Sequence, residues 1–234
     1  MESKIEKELL RVLKDEMKPV LGVTEPLAVA LASAKAYQAV GGELEGIKIT
    51  TDPALFKTGL SCIVPGTNET GFAMPAILGA LVGNPSLELE VLKDVDEERV
   101  LKAKSLLQKR IVDITVKEGQ AGIYVTAVVR TSKGAGRAII KDTHTNIVLV
   151  EADGKIIYKK EKREEEEKRS GIANLEVADL MRFSVEEPMQ TDYGPVLRIK
   201  NRPRGKAEHR GKLFQQTLEP PTPSYYELLR GNSS

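Results

Sequence analysis

Between Ile111 and Lys160 the hydrophobic period of the chain changes to two. "IVDITVKE", "GIYVTAVVRT", "GRAIIKD", "TNIVLVEA" and "KIIYKK" alternate apolar and polar residues, the pattern of half-buried strands. "SKGAG" and "ADGK" place turn residues between successive strands, and short turns of this kind join antiparallel neighbours. The block is therefore expected to be an antiparallel sheet of five short strands. Such a sheet buries one face against another layer.

The residues before it supply that layer. Ile5, Leu9, Leu10, Val12, Leu13 and Met17 recur at helical spacing among Lys and Glu, and Pro19 ends the run. A second helix is expected from Thr24 through "PLAVALASAKAYQAV" to the Gly41-Gly42 stop. Its alanines permit close approach by a neighbouring element, so its face should be deeply packed. "EGIKITTD" (45–52) reads as a strand, and "LFKTGLSCIVPGTNETG" (55–71) as a second strand or extended segment ending in the turn Pro65-Gly66-Thr67. "FAMPAILGALVGNP" is a short apolar helix. "DEERVLKAKSLLQK" is an amphipathic one, with acidic residues first and basic residues later, as the helix dipole favours. The fold class expected is α+β, with N-terminal helices on or beside a mostly antiparallel sheet.

Three regions follow from these patterns. Residues 1–160 form the patterned domain, and 161–188 a charged linker with the short helix "LEVADLMRF". Residues 189–234 form a basic, proline-containing tail without sustained period, expected to be disordered or loosely packed. A net charge of +1 gives no long-range attraction to nucleic acid or a membrane surface. The basic run from Arg198 to Lys212 has no interleaved aromatics. The N-terminal residues alternate charge with apolar side chains, unlike a secretory leader, and no apolar stretch reaches membrane-spanning length. One cysteine excludes an internal disulfide and suits a reducing cytoplasm, the location expected for this chain.

Three stretches carry candidate chemistry. In "GVTEP" (22–26), Thr24 suits a helix N-cap, Glu25 suits the positive dipole end, and Pro26 fits the first turn. In "IVPGTNETG" (63–71), Gly66 and Thr67 offer backbone N–H groups and a hydroxyl to a carboxylate or phosphate, without the Gly-Lys-Ser/Thr ending of a P-loop. In "DTHTNIVLV" (142–150), His144, Thr145 and Asn146 combine an imidazole with donors and acceptors. Each stretch also has a plain structural reading, as a capped helix start, a turn and a polar hairpin loop. No histidine pair, Cys-x-x-Cys or acidic loop has metal-ligand spacing. Cys62 stands among apolar residues, as a small buried side chain would.

Taken in order, "EMKPVLGVTEPLAVALASAKA", "FKTGLSCIVPGTNETG", "ALVGNPSLELEVLKDV" and "DTHTNIVLVEADGK" resemble the L-cysteine desulfidase family, which is related to the alpha chain of the iron–sulfur L-serine dehydratases. The resemblance covers residues 5 to 185 or so, and it implies the N-terminal portion of a longer enzyme, truncated or degenerate here. The implied chemistry is β-elimination from a small L-amino acid: L-cysteine to pyruvate, ammonia and sulfide, or L-serine to pyruvate and ammonia. Intact members hold a [4Fe–4S] cluster on three cysteine thiolates, with one iron open to the leaving group.

By resemblance, Glu25, with Thr24, would bind the substrate amine, and Thr67 and Asn146 the carboxylate, beside Gly66 and Thr145. Lys57 or His144 would be the base. Val23 stands where the family has a cluster-ligating cysteine, so no metal ligand and no cofactor are expected in this chain. A homo-oligomer or a complementing subunit would then complete the site. The alternative expectation is an amino-acid-binding module or accessory subunit without catalysis.

Overall fold

The structure is a computed structural model that describes residues 4–16, 18–161 and 175–186. The expectations for most of the charged linker and for the C-terminal tail lie outside the described residues.

The helices α1 (Lys4–Glu16), α2 (Thr24–Val40), α4 (Ala73–Val82) and α5 (Glu97–Gln108) stand where the apolar spacing puts them, and α6 (Val177–Glu186) contains "VADLMRF". The strands β1 (Leu44–Thr51), β2 (Val112–Val116), β3 (Tyr124–Thr131), β4 (Gly134–Lys141), β5 (Ile147–Ala152) and β6 (Lys155–Lys159) form one six-stranded sheet in the order β2-β1-β3-β4-β5-β6. The fold is α+β with a mostly antiparallel sheet.

Two expectations are corrected. The segment after β1 does not run on as a strand: Pro53–Gly59 forms the short helix α3. Asp52 accepts a hydrogen bond from Leu55 N at 2.9 Å, and Pro53 occupies the first turn, where its missing N–H costs nothing. Extended structure there shrinks to a single bridge between Ile63 and Thr70. Nor do the five strands after residue 111 form a sheet by themselves. β1 lies between β2 and β3, parallel to the first and antiparallel to the second. The chain between β1 and β2 carries α3, α4 and α5, a crossover long enough for parallel pairing.

α2 is the centre of the core. It packs on β3, β4 and β5 on one side and on α4 on the other, so every residue from Pro26 to Ala34 is buried, as is Ala36. Small residues allow this double contact. A Cβ on Gly79 of α4 would meet the Ala30 backbone, and one on Gly136 of β4 would meet the Ala36 carbonyl. From β3 the sheet contributes Val125, Ala127 and Val129, all fully buried, while Arg130 points to solvent. Among the described residues, no helix is long and apolar enough to cross a membrane.

Candidate functional site

α2 begins at the edge of this core. Its cap is Val23, in extended conformation, and no side chain caps the helix, so Thr24 is its first helical residue and not the N-cap expected from its type. That leaves the Thr24 hydroxyl free for another use. It donates to Glu25 Oε2 at 3.2 Å and lies 3.4 Å from His144 Nε2. With the hydroxyl proton directed to the carboxylate, the Thr24 oxygen would accept from Nε2–H of His144 in the second contact. In the neutral tautomer with that proton, Nδ1 would be the acceptor of the ring.

His144 reaches this corner from the β4–β5 turn. Asp142, in the left-handed region at φ 71°, turns the chain back, and Asn146 fastens the turn by donating Nδ2–H to Lys141 O at 2.8 Å. Because α2 rests on β4 and β5, the start of the helix and the strand turn meet although 120 residues separate Thr24 from His144. Lys18, just before α2, adds a second tie by donating to Thr145 Oγ1 at 3.2 Å and pairing with Glu88 at 3.4 Å.

Glu25 and His144 line an open cleft of about 440 Å³, together with Asp52 to Leu55, Thr58 and the 120–123 loop. Asp52 is committed to structure, since its carboxylate accepts from Leu55 N and from Tyr124 N, both at 2.9 Å. Among the described residues the cleft carries two carboxylates and an imidazole but neither Lys nor Arg. It suits an ammonium group better than a free carboxylate.

The remaining expected site residues fall elsewhere. Lys57 is exposed on α3 and does not line the cleft, although Ala54 and Thr58 of the same helix do. Thr67 is buried, and its hydroxyl closes its own turn by donating to Val64 O at 3.0 Å and accepting from Glu69 N at 3.1 Å. Gly66 is exposed in that turn at φ 77°. The turn flanks the corner, because Pro65 leaves little room for a Cβ at Gly22. Thr145 and Asn146 line a different groove, beside β5 and β6. The structure thus unites Thr24, Glu25 and His144 and separates them from the residues expected to hold a carboxylate.

Cys62, expected to be a small buried side chain, also lies near this corner. Its side chain is half-buried and donates to Thr58 O at 3.1 Å. Burial pushes the thiol pKa up, and the Glu25 carboxylate adds to the rise, which places the sulfur within the field of the same corner. The thiol is thereby held neutral and is a poor nucleophile.

The chain is similar to proteins named UPF0597 protein. One from Clostridium botulinum (strain Okra / Type B1) is 51% identical over 153 residues, which cover 65% of this chain and 35% of the relative. One from Clostridium tetani is 37% identical over 180 residues, covering 75% and 42%. One from Kosmotoga olearia is 36% identical over 162 residues, covering 68% and 38%. The chain therefore matches well under half the length of these relatives. No protein-family model matches it, and no solved structure does.

The donor set does not fit a cluster held by three thiolates. Val23, at the corner, has no donor atom, and Cys62 is the chain's one cysteine. Among the described residues no three His, Cys, Asp or Glu side chains stand close enough together to hold a metal ion.

Proposed function

We propose that the Thr24–Glu25–His144 corner binds a small L-amino acid, and that the chain contributes this binding to a β-eliminating lyase that it does not complete alone. The reading rests on the resemblance to the L-cysteine desulfidase family. The observation that carries it is the meeting of the Glu25 carboxylate and the His144 imidazole, from two distant motifs, on one cleft, with the Thr24 hydroxyl in contact with both. Glu25 would take the substrate ammonium in a charge-assisted hydrogen bond. Thr24 would hold the His144 ring, whose free nitrogen would accept the α-proton. Lys57, outside the cleft, is the weaker candidate for the base.

Elimination would expel sulfide from L-cysteine or water from L-serine to leave aminoacrylate. That product tautomerises to the imine and takes up one water to give pyruvate and ammonia, so serine yields no net water. No step is assigned to an iron–sulfur cluster, because the donors present do not fit one. Among the described lining residues no cation faces the substrate carboxylate, which fits a site that further chain completes. That observation also favours the second reading, an amino-acid-binding module without chemistry. A cytoplasmic location suits the single thiol of Cys62.

Calorimetric titration of the full chain with L-cysteine and L-serine, run beside a pyruvate assay, separates these readings. Binding without pyruvate supports the module or the incomplete enzyme. Pyruvate from this chain alone supports a complete lyase. Absence of binding by either amino acid overturns the proposal.

A further inference from the structure

The helix layer stops one strand short of the sheet. α2 covers β3, β4 and β5, but every residue of β6 is exposed. Ile156 and Ile157 keep 57% and 58% of their surface in water, and Tyr158 keeps 46%. Consecutive strand residues point to opposite faces, so β6 is bare on both. Between it and α2 runs a groove of about 400 Å³, floored by Ile147, Val150 and Tyr158 and bounded by Lys35 and Lys160. Thr145 and Asn146 line the same groove, so one short loop separates it from His144 and the amino-acid cleft.

Charge decides what can cover this surface. Lys155, Lys159 and Lys160 are exposed on and just after β6. Among the described residues, Lys35 and Lys160 donate to the amide oxygens of Gln38 and Asn146, at 3.0 and 2.7 Å. A second copy of the chain fits poorly. Antiparallel pairing of β6 with itself over its full length sets Lys155 opposite Lys159 at both ends, and like charges directly opposite are destabilising. Lysines on an edge strand are a common guard against such self-pairing. An apolar segment carrying Asp or Glu meets the same surface with opposite charge. The similar UPF0597 proteins have further chain available, since the matched region is only 35% of the Clostridium botulinum relative.

We propose that β6 and the adjoining groove are the docking surface for a second, different polypeptide, apolar with acidic residues, that corresponds to the part of the relatives this chain does not match. Docked there, it would lie beside the His144 loop and could supply a cation, which the described lining of the cleft does not. The inference rests on the reading of the chain as half of an amino-acid site.

The test is co-expression of the full chain with a polypeptide comprising the residues of the Clostridium botulinum relative outside the match. Complexes are then measured by size exclusion with light scattering. The expected result is a one-to-one complex that weakens at least tenfold with Ile157→Asp and loosens as salt is raised. Ile157 is exposed, so a circular dichroism melt of that variant should match the parent and separate lost docking from lost folding.

No soluble complex, or a complex indifferent to Ile157→Asp, overturns the proposal. So does a homodimer that Ile157→Asp dissolves, which would make a second copy the occupant. Amino-acid titration and pyruvate assay of the complex test the site independently. A complex that binds neither L-cysteine nor L-serine overturns the site reading and leaves the docking surface standing. Amino-acid binding without any complex does the reverse.

Discussion

Gly79→Ala sets two physical rules against each other. Gly79 lies inside α4, where helix propensity alone says alanine stabilises by about 1 kcal/mol. Packing says the opposite. The added Cβ would fall against the carbonyl oxygen, carbonyl carbon and Cα of Ala30, and backbone atoms cannot swing aside as the end of a side chain can. α2 cannot retreat either, because Gly136 already brings β4 against the Ala36 carbonyl on the other side.

Overpacking a core costs about 1–3 kcal/mol when neighbours adjust, and backbone on both sides argues for the upper end. Subtracting the propensity gain leaves a net loss of about 2 kcal/mol. For a domain of this size that lowers the melting midpoint by about 4–8 °C. Circular dichroism melts and urea titrations of parent and variant measure it. A displaced α2 also carries Thr24 away from His144, so amino-acid binding should weaken in the same variant. A midpoint equal to or above the parent's would refute the claim that α2 is held without slack between α4 and β4.

Asp52→Ala removes the cap of α3 and the partner of Tyr124 N from a buried position. The two losses together should cost about 2–4 kcal/mol in urea unfolding, and a loss under ~1 kcal/mol would show that the carboxylate is not structural. Glu25→Gln removes a negative charge that raises the Cys62 pKa. More thiolate then forms at pH 8, and iodoacetamide should modify Cys62 faster than in the parent. An unchanged or slower rate would place Cys62 outside the field of the corner. Anaerobic incubation with iron and sulfide should leave the chain without the broad absorption near about 400 nm that iron–sulfur clusters show. A brown product with stoichiometric iron would contradict the ligand argument built on Val23.

Much of the fold was legible because it depends on local period. The apolar run after Pro26 marks α2, and two-residue alternation marks β2 to β6. α3 was misread because seven residues are too short to show a helical period. Asp52-Pro53 was the available signal, a capping side chain followed by a residue suited to the first turn. The parallel place of β2 was hidden for another reason. Strand partners depend on how the α3–α5 crossover returns to the sheet, and alternation within a strand says nothing of its neighbour.

The candidate site divides along the same line. Thr24, Glu25 and His144 were recognisable as polar motifs, but their meeting follows from α2 lying on β4 and β5. Thr67 and Asn146 carry side chains of a type that often bonds the backbone nearby, as both do here, and sequence alone does not separate that use from ligand binding. Cys62 was read from its apolar neighbours in sequence, while in space it feels the charge of Glu25.

The amino-acid corner can be tested at one atom. The chain has two histidines, His144 and His209, so their ring Cε1–H resonances can be assigned with single substitutions. Titrating the full chain with L-serine should move the His144 resonance in a saturable manner, and Glu25→Gln should raise the concentration needed at least tenfold. A His144 resonance that stays fixed through the titration, or that moves equally in the Glu25→Gln variant, would contradict the central claim that Glu25 and His144 bind one small amino acid between them.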